Sequence, residues 1–380
     1  MRIAYVINSL EGGGASAPIP AVVRVLQSRG CHVEILALTP RDLRGLPALR
    51  AAGVPVTVRD GGQRDHLAAL RWLDQQMLRM QPDLIWTSLT RATLIGQIVG
   101  QMHDIDVVSW QHAAYLKPAN RWLLKARQRR SLLWLADSNN VAALTHRRLG
   151  IPQHRIAVWP LFEADDQAPV AAPWQPGEAI RIGSLGRLHR VKGYDVLIAA
   201  FARLREAGFT PPAPIEITIA GDGALQTRLT EMAAQAGLSN LYFIGFAEPR
   251  AFLAHQHLYL QPSRSEGLCI AAHEAMQAGL PALASAVGEL PYSIADGLTG
   301  RVVPPGNPQA LAAALAQMLG APERLAPMGR AARARVLKTF GGDAFARAGT
   351  TALDRISALR ASRLRAADRS ASHAPNGRPA

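Results

Sequence analysis

The sequence predicts an α/β protein built from two doubly wound domains, and three observations carry that expectation. The chain has 380 residues, more than one ordinary core accommodates. Short runs rich in valine and isoleucine alternate with longer helical patterns, as in parallel sheets wrapped by helices. The alternation breaks once, in the proline-, alanine- and acid-rich stretch EADDQAPVAAPWQPGE, and then restarts.

Taken in order, RIAYVIN reads as a buried strand. Asn8, Glu11 and the glycines 12–14 follow at once, so this start is a strand and turn and not a signal peptide. An amphipathic helix runs from Ala21 to Arg29, Gly30 stops it, and HVEILAL is the next strand. DLIWTS, DVVSWQ and LLWLADS continue the series. The first domain is placed at residues 1–163 and a linker at 164–177. The second domain, 178–339, reads IRIGSLGRL, a helix from Tyr194 to Ala207, IEITIAGDG, a helix to Ala236, LYFIGF, LYLQPS, a helix before Gly279, PALASAV and GRVVPPG. A final helix is placed at 340–364 and a disordered polar tail at 365–380.

With 48% hydrophobic residues, each half can bury a core, yet no apolar run is long enough to span a bilayer. The only two cysteines, Cys31 and Cys269, stand one in each half, which points to a reducing cytoplasm rather than a disulfide framework. A formal net charge of +14 implies an acidic partner: nucleotide phosphates, anionic lipid or nucleic acid.

Two segments of the second half carry chemistry. In GSLGRLHRVKGYDVLIAAF a strand ends in a glycine loop bearing Arg187 and Lys192, and a helix follows. Cations on such a loop face the crevice where doubly wound folds bind ligands. A diphosphate suits them, with Arg187 as a fork and Lys192 as a point charge; a solvated basic loop is the alternative. In SRSEGLCIAAHEAMQAGLP, Glu266 and Glu274 bracket an apolar run. On one continuous helix they would stand roughly 12 Å apart along the axis, too far to share a metal or a proton. They suit two ends of one elongated ligand, or they are two unrelated solvated acids. A helix starting near Leu268 and capped by Gly279 puts Glu266 in a loop and Glu274 inside the helix. The free amides near Leu268 and Cys269 then face an anion between them.

Together with IAGDGALQTRL and DGLTGRVVPPGNPQALAAAL, these segments resemble the retaining GT-B glycosyltransferases of family 4, also called glycosyl transferases group 1. The resemblance is strong over about residues 178 to 340 and loose before them. It implies two Rossmann-like domains facing a central cleft, the first for the acceptor and the second for a nucleotide sugar. It also implies that Glu274 binds the ribose, that Glu266 sits by the donor sugar, and that Arg187 and Lys192 hold the diphosphate. His112, just after DVVSWQ, would contact the sugar near the reacting carbon. Gly12, Gly13 and Gly14, in EGGGASAPIP, let backbone approach the cleft closely. Gly245, Phe246 and Ala247 would read the base through backbone contacts, and Gly267, Leu268 and Cys269 would line the phosphates. The catalytic set is thus His112, Glu266, Arg187 and Lys192.

Departures from the family pattern stand at Ala15 and Ser16, where a charged residue often follows the glycines, and at Cys269, His273 and Tyr292. WPLFEADD also replaces the usual asparagine–glycine turn. Asp104-Ile105-Asp106 imitates a metal-binding aspartate pair, but it precedes its strand and reads as a solvated turn; no metal is expected. His255 and His257 lack the further ligands of a zinc site. GDGALQ lacks the third glycine of a dinucleotide fingerprint. No cofactor is expected, the nucleotide sugar being a substrate.

The expectation is therefore a metal-independent, retaining hexosyltransferase. It would move sugar from a UDP- or GDP-sugar to a hydroxyl of a glycan or lipid-linked acceptor, in cell-envelope or exopolysaccharide synthesis. A GT-B epimerase and a non-catalytic basic nucleotide- or RNA-binding protein are the rivals; the two glutamates would repel a nucleic-acid backbone. Lys117 to Ala136, KPANRWLLKARQRRSLLWLA, reads as a basic amphipathic helix with boundary tryptophans, suited to an anionic membrane surface, or as a helix packed on the sheet. Localisation is read as cytoplasmic, with peripheral attachment to the cytoplasmic face of the inner membrane through that helix.

Overall fold

The computed structural model describes residues 1–11, 14–112 and 116–372, the side chains of 366–372 excepted. Two compact units emerge. One comprises Met1–His112, Leu116–Pro160 and the chain from Ala346 on; the other is Leu161–Phe345.

The first unit carries seven strands: β1 (Arg2–Ile7), β2 (His32–Ala37), β3 (Val56–Val58), β4 (Leu84–Ser88), β5 (Asp106–Gln111), β6 (Leu133–Ala136) and β7 (Ile156–Val158). They pair in parallel in the order β3-β2-β1-β4-β5-β6-β7. The central strands are buried on both faces, which is why they read as continuous apolar runs and not as alternation. Trp86, Trp110 and Trp159 pack edge-on and stacked in this core, with ring centroids 5.1–6.1 Å apart. Local chemistry sets element ends: the Ser138 hydroxyl accepts from Val141 N at 3.1 Å to start the helix Asn139–Leu149, and Gly150 ends it at φ 70°.

The second unit carries β8 (Ile180–Leu185), β9 (Ile215–Ala220), β10 (Leu241–Phe243), β11 (Leu258–Gln261), β12 (Ala282–Ser285) and β13 (Gly300–Val303). These too pair in parallel, in the order β10-β9-β8-β11-β12-β13. Each face of this sheet has its own core. Leu258 and Leu260 join Ile182, Leu197 and Phe201 on one side, while Tyr259 joins Leu185, Ala272 and Leu290 on the other.

Several expectations change. The stretch 164–177 is not a loose linker. Ala164 N donates to Phe340 O at 2.8 Å, Asp165 N to Gln277 Oε1 at 2.7 Å and Ala171 N to Ala278 O at 2.8 Å, and Ala164 and Ala168 are buried. Tertiary hydrogen bonds override its turn-like composition. The final helix begins at Gly342, after the preceding helix ends at Phe340, and continues to Ser372, so residues 365–372 are helical rather than part of a tail. It is held to the first unit by Asp354 on Arg29 at 2.8 Å, by Arg355 on the carbonyls of His154 and Ile156, and by Ala352, Leu353 and Ile356 in the core. Of the two aspartates only Asp104 is solvated, its side chain 87% exposed; Asp106 is 12% exposed and binds Arg360 at 3.1 Å, and Arg363 reaches both. Lys117–Ala136 is not one helix. A ten-residue helix, Pro118–Arg127, gives way to a short turn of 3₁₀ helix and then to β6, where Leu133 and Trp134 are buried. The leucine- and tryptophan-containing end of that segment is sheet, because strand neighbours on both sides satisfy its backbone. No described helix is long and apolar enough to cross a membrane.

Candidate active site

The order of the second sheet reverses between β8 and β11, and ligands of doubly wound folds bind at such a point, beyond the carboxyl ends of the strands. The segments leaving these two strands bring Lys192 and Glu266 together, Nζ to Oε1 at 2.8 Å. The geometry is built from the backbone upward. Gly193, at φ 70°, lies so close to the Pro262 carbonyl that a Cβ would stand 2.1 Å from its oxygen. Only glycine therefore lets the β8 loop approach the β11 loop. Arg264 N donates to Val191 O at 2.7 Å, and the Arg264 guanidinium forks onto Asp195 with both contacts at 2.6 Å.

Glu266 Oε1 also accepts from Ser263 Oγ at 2.6 Å and from Gln261 Nε2 at 3.2 Å, and the Tyr259 hydroxyl, at 2.6 Å, holds Gln261 Oε1. Oε2 has no hydrogen-bond partner among the described residues. Lys192 and Glu266 are 19% and 11% exposed. Burial opposes the Lys192 ammonium, but the Glu266 charge and hydrogen bond outweigh it, holding its pKa above the ordinary value.

The helix that follows is Ile270–Gln277, two residues later than the sequence suggests. Leu268 and Cys269 belong to its approach, and Cys269 takes a left-handed conformation at φ 68°, strained for a residue with a Cβ. Burial pushes the Cys269 thiol up, with Glu266 adding to the shift, so it is a packed thiol and no nucleophile. The helix ends as predicted: Gly279 is at φ 75°, with Gly279 N on Met276 O and Leu280 N on Ala275 O, both at 3.0 Å. Glu274 lies inside the helix. Its carboxylate has no hydrogen-bond partner among the described residues, and burial pushes its pKa from 4.5 up to about 7, Arg250 opposing and Glu248 adding. Because the helix starts after Glu266, the two glutamates stand on different elements, flanking the amides of the first helical turn.

Arg187, on the loop after β8, is exposed, and its guanidinium has no partner among the described residues. Gly221 N donates to Gly245 O at 2.6 Å, which ties the loop after β9 to the segment Gly245–Ala247 after β10. Phe246 is 53% exposed there. Arg187, Lys192, Gly245–Ala247, Glu266–Cys269 and Glu274 thus share the carboxyl-end side of the second sheet. His112 follows β5 in the first unit, and Gly14 lies exposed in a turn after β1. Gly12 and Gly13 lie outside the described residues.

Sequence reasoning did not find Ser263 and Gln261, which orient Glu266, or Asp137, which binds His112 Nδ1 at 2.9 Å. Their signal is positional: each sits at or just after a strand's carboxyl end. His273, a departure from the family pattern, is fully buried, with Nδ1 on Cys269 O at 2.9 Å and Nε2 on Ser293 Oγ at 2.8 Å. Burial lowers its pKa to about 4, so it remains a neutral core residue. His257 is likewise taken up structurally, against Arg181 at 2.7 Å, and does not meet His255 on a shared ligand.

Comparison with known proteins bears on both halves. The family described as "Glycosyl transferases group 1" matches residues 172–335, and "Glycosyltransferase Family 4" matches residues 12–162. A D-inositol 3-phosphate glycosyltransferase of Segniliparus rotundus is 32% identical over 177 residues, 45% of this chain and 39% of that protein. The amylovoran biosynthesis glycosyltransferase AmsK of Erwinia amylovora is 32% identical over 173 residues, 43% of this chain and 42% of that protein. The matched chain thus spans about two-fifths of the length of these curated relatives. Among solved structures, Anabaena Alr3699/HepE in complex with UDP-glucose has a TM-score of 0.79 at 19% identity, over 93% of this chain and 99% of that one. Sucrose-phosphate synthase from Thermosynechococcus elongatus has a TM-score of 0.78 at 18% identity, over 94% of this chain and 100% of that one. At these identities the structural likeness speaks for the fold.

Proposed function

From the premise that the chain belongs to the group 1, family 4 glycosyltransferases of GT-B fold, we propose that it moves a hexose from a UDP- or GDP-sugar to a hydroxyl of a glycan or lipid-linked acceptor, with retention at the anomeric carbon. One observation carries this reading. Lys192 and Glu266 are paired at the reversal of the second sheet, and on the same side the Arg187 guanidinium and the Glu274 carboxylate have no hydrogen-bond partner among the described residues. Burying a carboxylate without a partner costs stability, and a ligand beside Glu274 would supply one; in this reading the cations serve phosphates, Glu266 a sugar and Glu274 a ribose. The HepE structures with UDP and UDP-glucose support a nucleotide-sugar donor, and the name of AmsK supports a polysaccharide pathway.

In the proposed step the bond from the anomeric carbon to the diphosphate oxygen breaks. The acceptor oxygen bonds to the same face, and its proton passes to the departing phosphate. Arg187, Lys192 and the amides at the start of the helix Ile270–Gln277 stabilise the leaving charge. Glu266 Oε2 and His112 hold sugar hydroxyls, and Glu274 accepts from the ribose. A screen of nucleotide sugars, read by thermal stabilisation and then by transfer to hydroxyl acceptors, tests the reading. Sugar isomerisation without acceptor would favour the epimerase alternative. All charge stabilisation in this scheme comes from side chains and amides, so turnover is expected to persist in EDTA; loss restored by a divalent ion would refute that.

A membrane-facing role keeps one specific support. Trp122 is 69% exposed and Leu123 37% exposed, on a helix whose neighbours Lys117, Arg121, Lys125, Arg129 and Arg130 are all exposed. Each cation near an anionic leaflet contributes roughly 1 kcal/mol. The protein is expected to sediment with anionic but not neutral liposomes, less so as salt rises. Changing Lys125, Arg129 and Arg130 to glutamine should reduce that binding; Arg127 is left intact because it is half-buried. Equal partition onto neutral vesicles would sink the reading.

A further inference from the structure

The parallel register sets Gln111 of β5 beside Ala136 of β6, so the residues that follow, His112 and Asp137, emerge side by side. His112 Nδ1 lies 2.9 Å from Asp137 Oδ1 and 3.2 Å from Oδ2, with the two side chains only 7% and 6% exposed. A carboxylate can only accept, so Nδ1 carries the proton and, in the neutral ring, Nε2 is an acceptor. Nε2 is buried and has no hydrogen-bond partner among the described residues. The ring is also fixed from another side, where the Trp110 ring lies 5.6 Å away and itself stacks on Trp159 at 5.1 Å.

Among the described residues His112 alone holds the Asp137 carboxylate. The following helix, Asn139–Leu149, is capped by Ser138. No lysine or arginine pairs with Asp137 among the described residues. Its charge is felt by Tyr5, whose pKa rises through burial and through Asp137, while the Tyr5 hydroxyl itself bonds Ser88 at 2.8 Å.

We infer that Asp137 is a positioning residue: it holds the His112 imidazole as the Nδ1–H tautomer and so presents Nε2 as an acceptor to a hydroxyl of the donor sugar. This rests on the proposed contact between His112 and the donor. A hydrogen bond between a carboxylate and the far nitrogen fixes both the tautomer and the ring plane.

The test uses the full chain as wild type, Asp137→Asn, His112→Ala and the double variant. Nitrogen-15 spectra of the imidazole side chains, with His112 assigned by its loss in His112→Ala, are expected to show an unprotonated Nε2 in wild type. Asp137→Asn should disturb that tautomer and lower kcat about 10-fold with KM for the nucleotide sugar within about twofold, because the nucleotide contacts lie elsewhere. In the His112→Ala background the same substitution should cost nothing further. A protonated Nε2 in wild type overturns the inference, as does a loss in the double variant equal to the product of the single losses. If wild type transfers sugar from no nucleotide sugar, the functional reading falls on its own. The wild-type spectrum then still decides whether Nδ1 carries the His112 proton, as the bond to Asp137 requires, and it does so even if Asp137→Asn fails to fold.

Discussion

Lys192→Ala is expected to lower kcat about 100-fold or more with whichever donor the wild-type chain uses, the loss that follows removal of one charged stabiliser of a leaving group. The substitution also leaves Glu266 without its cation. Stranding one partner of a fully buried pair costs about 3–5 kcal/mol. Here the bonds from Ser263 and Gln261 to the same carboxylate oxygen soften that, so a lower melting temperature should accompany the lost turnover. The two effects separate in the double variant Lys192→Met, Glu266→Gln, which removes both charges at similar volume. Its melting temperature should recover while its turnover does not. Wild-type turnover in Lys192→Ala, or recovered turnover in the double variant, would take Lys192 out of the chemistry.

Glu274→Gln should weaken free nucleotide binding about 10-fold at pH 8 and, at the same pH, raise the melting temperature. Both follow from a carboxyl whose folded pKa is about 7 against an ordinary 4.5. Between those values the folded chain holds a proton that the unfolded chain has released, so stability falls as pH rises through that window. A glutamine, neutral throughout, escapes the loss, and the difference from wild type should vanish below about pH 4.5. Binding is expected to run the other way: if, as proposed, the ionised carboxylate accepts ribose hydroxyls, wild-type affinity should strengthen as pH climbs past 7 and the variant should not follow. Calorimetry finding wild-type affinity in the variant at pH 8 would remove Glu274 from the ribose. A group that destabilises the fold and assists binding is a signature of a functional position.

Much of the architecture was legible along the chain. DVVSWQ, read as a strand, is β5 residue for residue, and the helix read as Tyr194 to Ala207 runs Tyr194–Glu206. Strand runs are apolar because parallel strands are covered on both faces, and Gly279 stops its helix because only a residue without a Cβ adopts that conformation freely. The three-residue β3 was missed, since its half-buried edge position gives no continuous apolar run. Past Arg127 the helical reading of the membrane segment overlaps LLWLADS, also read as a strand, and it is the strand that forms, as β6; periodicity over a few residues cannot by itself separate the two.

By itself the sequence determined the two doubly wound sheets, the glycine loops and the residue types available for chemistry: Arg187, Lys192, Glu266, Glu274 and His112. Only the tertiary structure decided their partners. Lys192 and Glu266 are 74 residues apart and meet because the sheet sets β11 beside β8; His112 and Asp137 are 25 apart and meet across β5 and β6. Asp106 finds Arg360 across 254 residues, which turns an apparent metal motif into an anchor for the last helix. Local propensity acts over a few residues and shapes each strand and stop, whereas strand order, set by collective burial of the sheet faces, chooses which side chains share an edge and hence which charges are paired and which are left for a ligand.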